Sequence, residues 1–240
     1  MNSARTFIWA LIAMALVAPS AWSQGTPKAG PKPATQKHID TIKKSFASSK
    51  ALLRQYEWIE TTVTSLKGEE KSRVVKRCYY GAEGGLQKVV TSAPPKAKKT
   101  RGIRGKIKKK KMKEMAEYMK SAAALVKSYI PPDPAKIQAC KAGGRALIHM
   151  TDPGKRAKIQ LNQYLVPGDS LSFDVDLAKS RLLELNIKSV LGESKDPVTL
   201  DVRFGAFPDG TIYTSRTTLV AKAKEVTVVI ENSGYKKLAK

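Results

Sequence analysis

The sequence predicts a mainly β fold of the α+β class: a curved antiparallel half-barrel sheet of roughly ten strands with two amphipathic helices packed on its concave face. Three observations carry this. Segments rich in β-branched and aromatic residues follow one another with only short turn signals between them, which leaves no room for parallel crossovers. Two stretches switch to apolar residues at three- and four-residue spacing, the period of a helix. A sheet of that width does not lie flat, so it curls and offers the helices a concave face.

In chain order, Met1 to Ser23 reads as a secretory signal. Arg5 supplies the basic start, Phe7 to Val17 (FIWALIAMALV) the apolar stretch, and Ala21-Trp22-Ser23 the small residues a signal peptidase reads. Pro19 interrupts the apolar run before the about 20 residues needed to span a bilayer, and no cysteine stands at the cleavage site to carry a lipid. The expectation is a cleaved, exported chain, soluble in a bacterial periplasm. Residues 24–34 (QGTPKAGPKPA) have no apolar face and read as a flexible leader. The rest, 35–240, reads as a single domain.

Ile39, Ile42, Phe46, Ser49 and Leu53 share one face and predict a helix over 35–54. Strands follow at 56–66 (YEWIETTVTSL), 70–80 (EKSRVVKRCYY) and 86–92, with a Lys67-Gly68 turn between the first two, and Pro94-Pro95 ends this meander. Lys96 to Gly105 reads as a flexible basic loop. From Lys106 a second helix runs to about Ile130, where Pro131-Pro132 stops it, with Met112, Met115, Met119, Ala122, Val126 and Tyr129 as its stripe. Residues 133–144 read as a connector. Seven strands then occupy 147–151, 157–165, 170–177, 181–191, 198–204, 211–220 and 225–232, punctuated by turns such as Asp152-Pro-Gly154 and Pro208-Asp-Gly210.

The formal net charge is +24 and it is uneven. Residues 24–144 hold 28 basic and 9 acidic side chains, against 15 and 11 in 145–240. Eleven of the eighteen residues from Lys96 to Lys113 are basic and none is acidic. Such a field attracts any polyanion, and for an exported chain the polyanions at hand are phospholipid headgroups, lipopolysaccharide phosphates and anionic wall polymers. Nucleic acid is not expected as a partner, because few aromatics accompany the basic run to stack on bases. Cys78 and Cys140, an even pair in an oxidising compartment, favour a disulfide over two buried thiols. Closing a loop of roughly 60 residues stabilises by about 4 kcal/mol on the chain-entropy model.

Catalysis and cofactor chemistry have little to stand on. His38 and His149 are the two histidines, neither at metal-ligand spacing from another ligand, and no nucleophile elbow, phosphate loop or dinucleotide fingerprint occurs. The sequence is read as that of a non-enzyme without cofactor or metal.

The order of elements (a helix, three strands, a basic loop and helix, then a long antiparallel meander) resembles the periplasmic lipoprotein-carrier family of LolA, LolB and their sensor relatives. The nearest local similarity is Tyr213 to Leu238 (YTSRTTLVAKAKEVTVVIENSGYKKL) to that family's closing strands. The resemblance implies a half-barrel, closed by helices, that holds lipid or lipoprotein acyl chains, with an envelope protein as a further partner. On that reading Trp58, Met112, Met115, Met119, Phe173 and Phe204 contact acyl chains. Arg101, Arg104, Lys106, Lys108, Lys109, Lys110 and Lys111 hold anionic headgroups or an anionic membrane surface. The alternative is a module that binds anionic polymers or membranes through the basic run alone, with no cavity.

Overall fold

The computed structural model describes residues 44–92, 102–192 and 196–238, the side chain of residue 104 excepted. The expected signal peptide and leader therefore lie outside the described residues. Helix α1 covers residues 44–52. Strands β1 (Tyr56–Leu66), β2 (Glu69–Tyr80) and β3 (Leu86–Ser92) form a meander, helices α2 (Gly102–Lys127) and α3 (Pro134–Ala142) follow, and seven strands complete the chain. These are β4 (Ala146–Asp152), β5 (Arg156–Asn162), β6 (Ser170–Asp176), β7 (Arg181–Leu191), β8 (Asp196–Ala206), β9 (Ile212–Ala221) and β10 (Val226–Lys237).

All ten strands join one antiparallel sheet in the order β3-β2-β1-β10-β9-β8-β7-β6-β5-β4. Turn chemistry explains the hairpins: Lys67 and Gly68 both take positive φ, 55° and 79°, as a tight two-residue turn with the twist of its flanking strands demands. β10 continues five residues beyond the expected stop at Asn232. Gly234, at φ 61°, absorbs an extra residue where the β1 register shifts between Glu57 and Ile59, and pairing resumes to Tyr56 opposite Lys237.

Alternation places the core on one face. Leu171, Ile187, Leu200, Leu219 and Val228 stand opposite one another across five strands, and all five are buried. α2 lies on this row, touching β7 and β8, with Ala122, Val126 and Tyr129 buried in the same core and Met115, Tyr118 and Met119 half-buried against it. α1 is held at its own point on the sheet: Phe46 meets Phe204 edge to face at 5.3 Å, and the Ile212 N–H donates to Ser49 Oγ at 2.8 Å.

Three expectations are corrected. Residues 134–142, read as a connector, form α3, because Asp133 accepts the Ala135 N–H at 2.8 Å, Pro134 fits the first turn, and Gly143-Gly144 releases the end. α2 begins at Gly102 rather than Lys106, so the last residues of the expected loop are helical. Cys78 and Cys140 are free thiols, both buried. β2 and α3, which carry them, pack toward opposite edges of the ten-stranded sheet, α3 against β4 and β5. The Cys140 thiol faces the Asn162 carbonyl at 3.8 Å, and the Cys78 thiol, pushed up to about 12 by burial, faces Glu60. A thiol reagent is expected to titrate neither cysteine in the native chain and both in urea without reductant. No titration in urea would mean a bridge.

Candidate functional site

α2 changes character along its length. Its buried stripe, read backwards from Tyr129 through Val126, Ala122, Met119 and Met115, continues at the same spacing onto Lys111 and Lys108. A row of ammonium groups cannot enter an apolar core, so the helix leaves the sheet where the stripe turns basic. Lys106, Lys108, Lys109, Lys110 and Lys111 are all exposed, as are Ile107 and Met112, the latter at 62 %. The first turns thus form a basic overhang. Arg101 and the side chain of Arg104 lie outside the described residues.

The other end of α2 is fastened. Asp169, buried, accepts the N–H groups of Tyr164, Leu165 and Val166 at 2.5, 2.8 and 2.9 Å and the Tyr129 hydroxyl at 2.5 Å. The same hydroxyl lies 2.8 Å from Ser189 Oγ. Burial and the neighbouring carboxylate push the Tyr129 phenol well above its ordinary range. Tyr164, which the sequence places in a strand, instead turns in this loop, where its hydroxyl accepts the Asp133 N–H at 2.6 Å.

Of the residues expected to meet acyl chains, Met115, Met119, Phe173 and Phe204 come together around one core. Met112 does not: it falls at the margin of the α2 stripe and faces solvent. Trp58 stands apart in an aromatic cluster, stacked on Tyr235 at 5.6 Å and tilted against Tyr80 at 6.0 Å, with Tyr213 4.6 Å beyond Tyr235. Gly205 permits this cluster, since a Cβ there would lie 2.5 Å from the Tyr213 ring.

Beside that cluster lies an ion group the sequence reading missed. Glu60 is 0 % exposed. Lys76 Nζ reaches its Oε1 at 2.9 Å and Lys88 Nζ its Oε2 at 2.7 Å, one lysine from each of the next two strands. Burial holds the Lys88 ammonium down to about 8, against the opposing pull of Glu60. The only signal in the sequence is a carboxylate at an inward position of YEWIETTV, matched across the register by lysine.

A cavity of about 430 Å³ opens at the rim beside α1, lined in part by Ser45, Lys179, Arg181 and Phe207; none of its lining residues belongs to α2. Among the described residues no group of three His, Cys, Asp or Glu is placed to hold a metal ion, and no helix is long and apolar enough to cross a membrane. His149 is exposed on β4, and His38 lies outside the described residues.

No protein-family model matches the chain, and no curated protein matches it significantly. Among solved structures it is similar to an outer membrane lipoprotein-sorting protein domain from Vibrio parahaemolyticus, at 8 % identity over 81 % of this chain and 91 % of that one, TM-score 0.34. It is also similar to a DUF1329 family protein from Desulfovibrio piger, at 8 % identity over 82 % and 92 %, TM-score 0.30. A LolA superfamily protein from Nitrosomonas europaea shows 7 % identity over 81 % and 94 %, TM-score 0.28.

Proposed function

We propose that this chain is a non-catalytic periplasmic carrier or sensor that holds an acyl chain of a lipid or lipoprotein against the inner face of its half-barrel and meets anionic headgroups with the overhang of α2. The observation that carries this reading is the asymmetry of α2, fastened at Tyr129 and unpacked where Lys106 and Lys108 to Lys111 project. A helix held at one end and free at the other is arranged to lift. Lifting would expose Met115 and Met119, whose flexible thioethers adapt to irregular apolar shapes, above Phe173 and Phe204. Trp58 would meet a chain only at the aromatic end of the sheet, and Met112 would rest on the membrane surface beside the lysines. Arg101 and Arg104 would extend the same basic run.

A second reading is favoured by the burial of Ala122, Val126 and Tyr129 in the core: the overhang docks the protein on anionic surfaces and the core never opens. Two measurements test them, and the second separates them. Replacing Lys108, Lys109, Lys110 and Lys111 together by glutamine is expected to weaken co-sedimentation with phosphatidylglycerol vesicles by at least about a hundredfold at low salt, since each cation near such a surface contributes on the order of 1 kcal/mol. Unchanged sedimentation contradicts both readings. Mass spectrometry of an organic extract of protein purified from its native envelope is expected to find a stoichiometric lipid or lipopeptide. An empty extract, with fluorescent fatty acids failing to bind, leaves surface docking alone.

A further inference from the structure

The rim cavity carries chemistry that the α2 reading does not use. Lys179 and Arg181 line it together with Ser45 and Ser180, and Phe207 and Ile212 give it an apolar wall. The β6–β7 connection sets both cations there. Ser180 takes φ 47°, its N–H reaching the Leu177 carbonyl at 3.3 Å, and the Lys179 N–H donates to Asp176 Oδ1 at 2.9 Å. That bond uses Oδ1 of Asp176, the register partner of Arg181, and Asp176 is not among the residues that line the cavity. The other nearby acid, Asp209, accepts the Thr211 N–H at 2.8 Å. Among the described residues no carboxylate lines the cavity, and Arg181 Nε is buried with no hydrogen-bond partner among them. A guanidinium N–H taken out of water without an acceptor is unfavourable, and buried polar groups are almost always satisfied.

We propose that this cavity is a binding site for a phosphate group, either free or as the headgroup of a phospholipid. The guanidinium fork fits two oxygens of one oxyanion, which satisfies the buried Nε. Lys179 adds a second positive charge, which matches the about −1.5 to −2 of free phosphate or a phosphate monoester at neutral pH; the phosphodiester of a phospholipid carries one negative charge and is held by the same two cations. The hydroxyl of Ser45, which also lines the cavity, donates to a remaining oxygen. Phe207 and Ile212 offer apolar surface to the carbon that a phosphate ester carries, and the volume lies in the range of small-molecule sites. None of the α2 lysines lines this cavity.

The test is thermal unfolding of the full chain at constant ionic strength, titrated with inorganic phosphate, with glycerol 3-phosphate, and with phosphatidylglycerol against phosphatidylcholine vesicles. The expected result is a saturable rise of about 5–10 °C at one hundred times Kd, lost in Arg181→Gln and retained when Lys108 to Lys111 are glutamine. Arg181→Gln is also expected to unfold no lower than the parent in phosphate-free buffer, since it removes a buried donor that no described residue accepts. An Arg181-dependent rise with the soluble phosphates assigns free phosphate. One confined to phosphatidylglycerol vesicles assigns the lipid headgroup. The proposal is overturned if no probe gives an Arg181-dependent rise, if chloride raises the midpoint equally, or if Arg181→Gln unfolds well below the parent without phosphate, which would mean the guanidinium is paired within the chain.

Discussion

Replacing Asp169 by alanine is expected to lower the unfolding free energy by about 3–5 kcal/mol, because three backbone N–H groups, one of them in a buried bond and two in part-buried ones, and the buried Tyr129 hydroxyl lose their acceptor. Urea denaturation reads this as a lower midpoint at unchanged slope. Tyr129→Phe removes one of those donors and is expected to cost about 1–2 kcal/mol. The double variant should fall short of the sum, since both changes empty one network. A loss below about 1 kcal/mol for Asp169→Ala would show that the loop 163–169 finds other acceptors and that α2 is not fastened there. The same variant bears on function: with its fixed end loosened, α2 no longer pivots, so any acyl binding should weaken while vesicle docking through the lysines persists.

Glu60→Gln is expected to cost a similar amount, about 3–5 kcal/mol, because it leaves Lys76 and Lys88 charged and partly buried without their anion. Replacing all three by apolar residues of similar size should restore most of that loss, as buried ion groups usually contribute little net stability. The cluster also predicts a pH dependence with a definite sign. Lys88 releases its proton near 8 in the fold but at about 10.4 in the unfolded chain. Between those values the unfolded state binds more protons, so the Lys88 contribution to stability rises with pH. Cys78 acts in the opposite sense: held up to about 12 by burial, it stays protonated while the unfolded thiol ionises from about 8.5, and its contribution falls as pH rises. Comparing the parent with Lys88→Met isolates the first effect. Their stability difference should move in the parent's favour between about pH 8 and 10.4; a flat difference would show that Lys88 titrates normally.

What the sequence made legible and what it hid divide along physical lines. Strands are short-range objects: alternation in Leu171, Phe173 and Val175, and turn pairs such as Lys67-Gly68, mark them without knowledge of their neighbours. β1, β3 and β7 consequently begin and end where the pattern puts them. The stripe from Met115 to Tyr129 is likewise local. α3 was legible too, in the Asp133-Pro134 start and the Gly143-Gly144 end, but its nine residues carry too weak an apolar period to stand out. The hidden features are those whose partners are distant. Asp169 reads as an ordinary turn residue until Tyr129 reaches it, and Glu60 as a polar interruption until two other strands bring lysines to it. Cys78 and Cys140 form an even pair by count, and counting does not say where strands land. Met112 shows the converse: a correct residue type at a spacing just off the buried face.

The place of β10 in the sheet has a consequence for how the molecule is assembled. It pairs with β1, so Thr62 stands opposite Ile230, near the two ends of the described chain, and this seam lies inside the sheet rather than at an edge. From β4 onward every pairing joins neighbours in sequence and closes only short loops, which is the fast part of folding. The β1 seam closes nearly the whole chain and requires the last strand to be made. The β1–β3 meander must therefore wait with β1 presenting an open edge through synthesis and any passage across a membrane, and open edges are where strands of other chains add. The interval before Val226–Lys237 arrives is the period in which that edge of β1 stands unpaired.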